Sequence, residues 1–213
     1  MKKFQKIFES TSGHFMSGYF SKNIFNEEKV LAIQADFVDR LPEENDKCSV
    51  GYFDLRSGSF IKVAESKCFN WQQGNMLEWL GMSKSKILFN DYDAGGFCSK
   101  IIDVESAHIR RLDYAIYASS PDGAYAASID FERHYWCRRA YSYGNIENID
   151  KDAKVVAGDS LKIFRIEDGT LIHEFFVAEL IKLRPKKSMK DATHYIEHIE
   201  FSPDGKNFYF YHR

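Results

Sequence analysis

Residues able to do chemistry gather in a few segments of this 213-residue chain. One is His194-Tyr195-Ile196-Glu197-His198, two histidines four apart with a glutamate beside the second. On a helix, that spacing sets both imidazoles on one face, where they can hold zinc with the carboxylate poised as a base. The segment runs straight into Ser-Pro-Asp-Gly at 202–205, a turn signal, so it reads as a strand. On a strand, residues 194 and 198 stand roughly 13 Å apart, too far to share one metal ion.

A second segment is Phe131-Glu132-Arg133-His134-Tyr135-Trp136-Cys137-Arg138-Arg139. Guanidinium forks match carboxylates, and flat aromatic faces stack on sugar rings, so Arg133, His134 and Arg138 suit a groove for an acidic sugar. The same residues suit a loop that packs its aromatics and leaves its arginines in water. Trp71 and Gln72, followed by Gln73, supply stacking and amide groups for sugar hydroxyls, or buried packing between sheets. Asp91, Asp93 and Gly95-Gly96 lack the twelve-residue register and closing Glu of a calcium loop, and read as a polar turn.

The elements that must position these groups read as strands. Ser-Pro-Asp-Gly occurs at 120–123 and again at 202–205, each copy between an apolar and an alternating run. Pro fixes φ and Gly accepts a positive φ, so each copy marks a hairpin. Residues 76–81 and 87–92, and residues 18–20 and 30–35, read as degenerate copies of the same strand pair. A second hairpin follows in each unit, turning near Gly58, Ala107 and Gly169. Four short antiparallel strands in about 45 residues is the pattern of a propeller blade. We therefore predict an all-β chain, a β-propeller of four-stranded blades spanning 17–66, 75–112, 113–177 and 194–213 as one domain. That is about three and a half blades, an incomplete or atypical ring. Residues 1–16, in which Phe4, Lys6 and Phe8 alternate, are expected to supply a closing strand. An open blade edge implies a homodimer, or a C-terminal half, that completes the ring. Residues 182–190 read as a solvated basic loop.

Composition narrows the partners. The 29 basic and 31 acidic residues give a net charge of −2, with no basic excess for nucleic acid. No apolar run reaches the ~18 residues of a membrane span, and Gln5, Lys6 and Glu9 interrupt any leader-like core. Four scattered cysteines without a C-x-x-C pair read as free thiols in a cytoplasmic protein.

The turns and the segment Glu197-His198-Ile199-Glu200-Phe201-Ser202-Pro203-Asp204-Gly205, with Phe208-Tyr209-Phe210-Tyr211-His212-Arg213 after it, resemble the TolB-type propellers and, more narrowly, the oligogalacturonate lyase family. Trp71-Gln72-Gln73-Gly74 with Met76-Leu77-Glu78-Trp79-Leu80, and Asp130-Phe131-Glu132-Arg133, resemble motifs of bacterial relatives of that family. The resemblance implies a seven-bladed propeller, with His198 at the place of a histidine that helps the family hold a metal, and His212, less directly, at the place of a histidine after the next strand. The family's remaining ligands lie in later blades. The leading expectation is thus a module that binds an acidic oligosaccharide through Arg133, His134, Arg138, Trp71 and Gln72, with no complete catalytic site and no cofactor. The alternatives are a lyase using a divalent metal such as Mn at His198, and a protein-interaction scaffold.

Overall fold

The computed structural model describes Lys6, Glu9, and residues 13–144 and 150–213. Its strands fall into four antiparallel sheets taken in chain order. In the first, β1 (His14–Met16) and β2 (Phe25–Asn26) share one edge of β3 (Lys29–Ala35), followed by β4 (Cys48–Asp54) and β5 (Ser59–Ser66). The second is β6 (Glu78–Trp79), β7 (Lys86–Asp93), β8 (Gly96–Asp103) and β9 (Ile109–Leu112). The third is β10 (Ala118–Ser119), β11 (Tyr125–Ser128), β12 (Ser160–Arg165) and β13 (Leu171–Phe176). The fourth holds β14 (Ile196–Phe201) and β15 (Phe208–His212), paired only with each other among the described residues. Strand pairing does not join the sheets into a closed ring.

Strand periodicity explains how the sheets stack. Successive side chains leave opposite faces, so a strand with two apolar faces can serve two cores. Along β7, Ile87 and Phe89 join Leu31, Ile33 and Val50 of the first sheet, whereas Leu88 joins Ala126, Leu161 and Phe164 of the third. The two neighbours on β8 divide in the same way, Ile102 to one core and Ile101 to the other. The second sheet is therefore packed on both faces. Ile196 and Ile199 of β14 extend the second of these cores to the fourth sheet.

The repeated turns have one hydrogen-bond scheme. Asp122 Oδ1 accepts from Ser120 Oγ (2.5 Å) and from the Ala124 amide (3.0 Å), while Ser120 Oγ accepts from the Tyr125 amide (2.9 Å). Asp204 and Ser202 repeat these bonds at 2.6, 3.1 and 3.0 Å. The turns also touch. A Cβ placed on Gly81 (φ +54°) would lie 2.6 Å from the Asp122 carbonyl oxygen. One on Gly205 would lie 3.7 Å from Ser120 and Pro121. Three turns from three sheets are thus laid one on the next, which explains why the same turn chemistry recurs in the sequence.

Several elements differ from the sequence reading. Residues 18–20 form no strand; His14–Met16 pairs with Ile33–Ala35 in their place, inside the stretch assigned to a closing strand. Phe4 and Phe8 of that closing strand lie outside the described residues. The strands β6 and β10, which open the second and third sheets, are two residues long, shorter than the six-residue runs 76–81 and 114–119 in which they lie. Two helices, α1 (Phe131–Cys137) and α2 (Val177–Leu183), replace expected loop or aperiodic chain. No helix among the described residues is long and apolar enough to cross a membrane, and the four cysteines are free.

The turn stacking is directly testable. Gly58 also has a positive φ (+67°) but meets nothing within 4 Å, so Gly58→Ala is expected to cost about 1 kcal/mol. Gly81→Ala should cost that amount plus about 1–3 kcal/mol from collision with the Asp122 backbone. Urea denaturation of the two variants, run side by side, measures the difference.

Candidate functional site

The polar centre of the molecule is built on β14. Glu197 is 0% exposed, yet it sits on a strand whose neighbours are Ile196 and Ile199. Its Oε1 accepts from Arg213 Nε at 2.6 Å and from Arg138 Nη1 at 3.1 Å. The Nε2 atoms of His134 and His198 each lie 3.8 Å from a Glu197 oxygen, close enough for attraction but beyond a hydrogen bond. Burial pushes the carboxyl pKa up; His134, Arg213, Arg138 and His198 together outweigh it and bring the pKa down to about 2. Glu197 is therefore a fixed anion at neutral pH.

Local backbone geometry aims these groups. The β14–β15 register slips between Glu197 and Glu200, and His198 within the slip has φ +52°. Such a bulge turns a side chain off the strand's regular alternation. His198 reaches Tyr19 Oη through Nδ1 (3.3 Å) and meets the Tyr211 ring edge to face, 5.6 Å between centroids. Each guanidinium in the cluster also has an aromatic neighbour: Arg138 lies 4.3 Å from the Tyr141 ring centre and Arg213 5.4 Å from that of Tyr211.

Two clefts open beside this cluster and share Glu200. The smaller, about 220 Å³, is walled by Tyr19, Phe20, His198, Tyr209 and Tyr211. The larger, about 440 Å³, is floored by a buried ion pair, Lys22 Nζ to Glu78 Oε1 at 3.5 Å. Lys22 also donates to the Tyr117 carbonyl (3.0 Å), and Ser119 Oγ donates to Glu78 (2.7 Å). These bonds hold the first three sheets together at their inner ends.

The residues singled out from the sequence divide into two groups. His134, Arg138 and His198 converge on Glu197. Arg133 stands apart from the groove expected for it. Asp130 caps α1 by accepting from the Arg133 amide (2.9 Å), and the Arg133 side chain then runs inward. Its guanidinium donates to the carbonyls of His194 (3.2 Å), Asp150 (3.3 Å), Ala153 (2.5 Å) and Lys154 (3.2 Å). Those bonds leave it enclosed and tie the segment around 150–154 to the start of β14. Trp71 packs against His14, Phe37 and Phe69, Gln72 is exposed, and neither lines the two clefts. Gln73, next to them, is buried and donates to Tyr117 Oη at 3.0 Å.

The residues around His198 do not fit a divalent metal. Two guanidinium groups occupy Glu197 Oε1 and add positive charge where a cation would have to sit. No group of three or more His, Cys, Asp or Glu among the described residues could hold a metal ion. Sequence reasoning missed Arg213, Tyr211 and Tyr19. Glu197 itself was visible only as one letter of a zinc-binding pattern and of the segment that carries the family resemblance, with no role of its own.

No protein-family model matches the chain, and the search of curated proteins returns no match. Among solved structures, the chain is similar to the β-propeller domain of the Trilobed protease from Pyrococcus furiosus, described as having an open velcro topology. That similarity has 14% identity and a TM-score of 0.39 over 75% of this chain and 43% of that one. It is also similar to an uncharacterised protein from Listeria monocytogenes, with 13% identity and a TM-score of 0.35 over 80% of this chain and 57% of that one. The chain thus spans about half the length of these structures.

Arg133 provides a test of structural against ligand-facing roles. A lysine has three donors at one point and cannot serve carbonyls on separate segments. Arg133→Lys is expected to cost about 2–3 kcal/mol in chemical denaturation, from carbonyls left unpaired. Unchanged stability would return Arg133 to the ligand groove.

Proposed function

We propose that the four sheets are blades of a propeller-type module, and that the module binds an acidic oligosaccharide without cleaving it. The observation that carries this reading is the imbalance at Glu197: one carboxylate faces two guanidinium groups, each partly exposed and each beside a tyrosine ring. Within this cluster one positive charge is left over, and the neighbouring cleft wall carries His198, Tyr209, Tyr211 and the Glu200 carboxylate. A uronate carboxylate can take the remaining donors of Arg138 or Arg213, while Tyr211 and Tyr209 offer flat faces to the sugar ring.

The electrostatics argue against Glu197 or His134 as a proton-abstracting base. Removing the proton beside a uronate carboxylate requires a base whose pKa lies near the working pH. Glu197, at about 2, is too weak a base. His134 is enclosed, and burial keeps its imidazole neutral; it lies behind Glu197 rather than on the cleft wall. The resemblance to oligogalacturonate lyases supports the ligand class, and the four free cysteines agree with a cytoplasmic setting. A protein-binding face is the second reading. It is favoured by Phe20 (78% exposed) and Met82 (89% exposed) on the rims of the same clefts, since exposed apolar groups at a rim suit a protein partner.

Titration calorimetry with oligogalacturonate should show saturable binding that weakens with added salt. Arg138→Ala and Arg213→Ala should each weaken it about tenfold, the loss of one charge-assisted contact. The ultraviolet absorbance of unsaturated sugar ends should stay flat throughout. No heat with any uronate oligomer would refute the ligand class, and a steady rise in absorbance would refute the absence of catalysis.

A further inference from the structure

Residues 182–190 carry five basic side chains and no acidic one. The structure folds this segment back over the fourth sheet. Helix α2 ends at Leu183 with Arg184 as its cap, and a short 3-10 turn at Lys187–Met189 returns the chain toward β15. Between them lies a cleft of about 540 Å³, separate from the two beside Glu200.

Its walls have two chemical characters. Leu180 and Met189 face Phe210 of β15 and make an apolar floor, and Leu183 at the lip is 74% exposed. Arg184 and Lys186 stand on the rim, and Arg213 closes the end nearest Glu197. Neither Arg184 nor Lys186 has an acidic partner among the described residues; the nearby Asp191 is taken by Lys154 at 3.1 Å. The one acid on α2, Glu179, is in its first turn and does not line the cleft.

Two histidines fix the shape of the cleft. His194 is buried; its Nε2–H donates to the Met189 carbonyl (3.0 Å), which leaves Nδ1 to accept from His212 Nε2–H (3.0 Å). This relay ties the turn to β15, so the floor is held open rather than left to a loose loop. A concave site of this size, mostly apolar with a few charged groups at one edge, suits a small molecule with a hydrocarbon body and a charged end. A methionine in the floor adapts to a flexible chain.

We infer that this cleft binds a monomeric amphipathic anion, a carboxylate on an unbranched acyl chain. The chain lies along Leu180, Met189 and Phe210, and the carboxylate meets Arg184 and Lys186. A lipid bilayer presents a flat surface and would leave the concave floor unfilled, so the occupant is a single dispersed molecule.

Calorimetry on the full chain with octanoate, acetate and octanol tests both halves of the recognition. Octanoate should saturate at one molecule per chain, and acetate and octanol should bind at least about tenfold more weakly. The Arg184→Ala/Lys186→Ala double variant should lose about tenfold in octanoate affinity while keeping its oligogalacturonate binding, because neither residue touches Glu197. Leu180→Glu, with its fold checked by circular dichroism, should abolish octanoate binding. Vesicles of phosphatidylserine and phosphatidylcholine should not sediment the protein. Absence of saturable octanoate binding would overturn the inference. So would equal binding of acetate, an unaffected double variant, or capture by vesicles without octanoate binding.

Discussion

A carboxylate with no exposed surface must be paired, because transferring an unpaired charge out of water costs several kcal/mol. Glu197 is in that position, and the arrangement around it follows from the need to satisfy it. Arg138 comes from the end of α1 and Arg213 from beyond β15, so two segments far apart in sequence are fixed at one atom. The described parts of the connection between β11 and β12 are anchored there and again by Arg133, three of whose four carbonyl bonds hold the segment around 150–154 while the fourth reaches His194. A connection of this length would otherwise be free to move over the surface. Here Arg138 and Arg133 tie it to β14 and to the segment around 150–154.

The repetition of the sheets and the singularity of the site are two sides of one design. The central strands of the second sheet serve a core on each face, and the turns at Gly81, 120–123 and 202–205 rest on one another, which imposes a similar geometry on the last three units. Neighbouring units meet at their first strands, where β10 of the third sheet contacts β14 of the fourth. What occupies that junction is then set by single residues with no counterpart in the repeat. The Lys22–Glu78 pair ties the first two sheets, and Glu197 with its arginines ties the third sheet's insertion to the fourth.

How legible this was in the sequence depends on the range of the interaction. The hairpins at 120–123 and 202–205 were readable because Ser, Asp and Gly bond within the turn itself. The first inner strand was misplaced because only three residues pair, His14–Met16, and three residues carry no periodicity. Helix α1 escaped notice because the face it buries includes Phe131, Arg133 and His134, a mixture that does not look like an apolar stripe. The inward direction of Arg133 could not be read at all, since its partners are backbone carbonyls that any residue would supply. For the site, Arg138, His134 and His198 were found by residue type. Arg213 and Tyr211 needed the strand pairing, and Trp71 had the right chemistry in the wrong place.

The account turns on Glu197 acting as a permanent counter-ion and not as a group that exchanges protons. Its side-chain carboxyl signal can be followed by carbon NMR as the pH is lowered, with Glu197→Gln identifying the resonance. Glu197 pairing is expected to keep it ionised well below the ordinary carboxyl midpoint of 4.5, with half-protonation at about 2. A lowered native pKa also means that the stability from this pairing, complete above about 4.5, drains away as the pH falls toward 2. A midpoint at or above 4.5 would contradict the account, because the two arginines would then not be holding the charge around which the site is built.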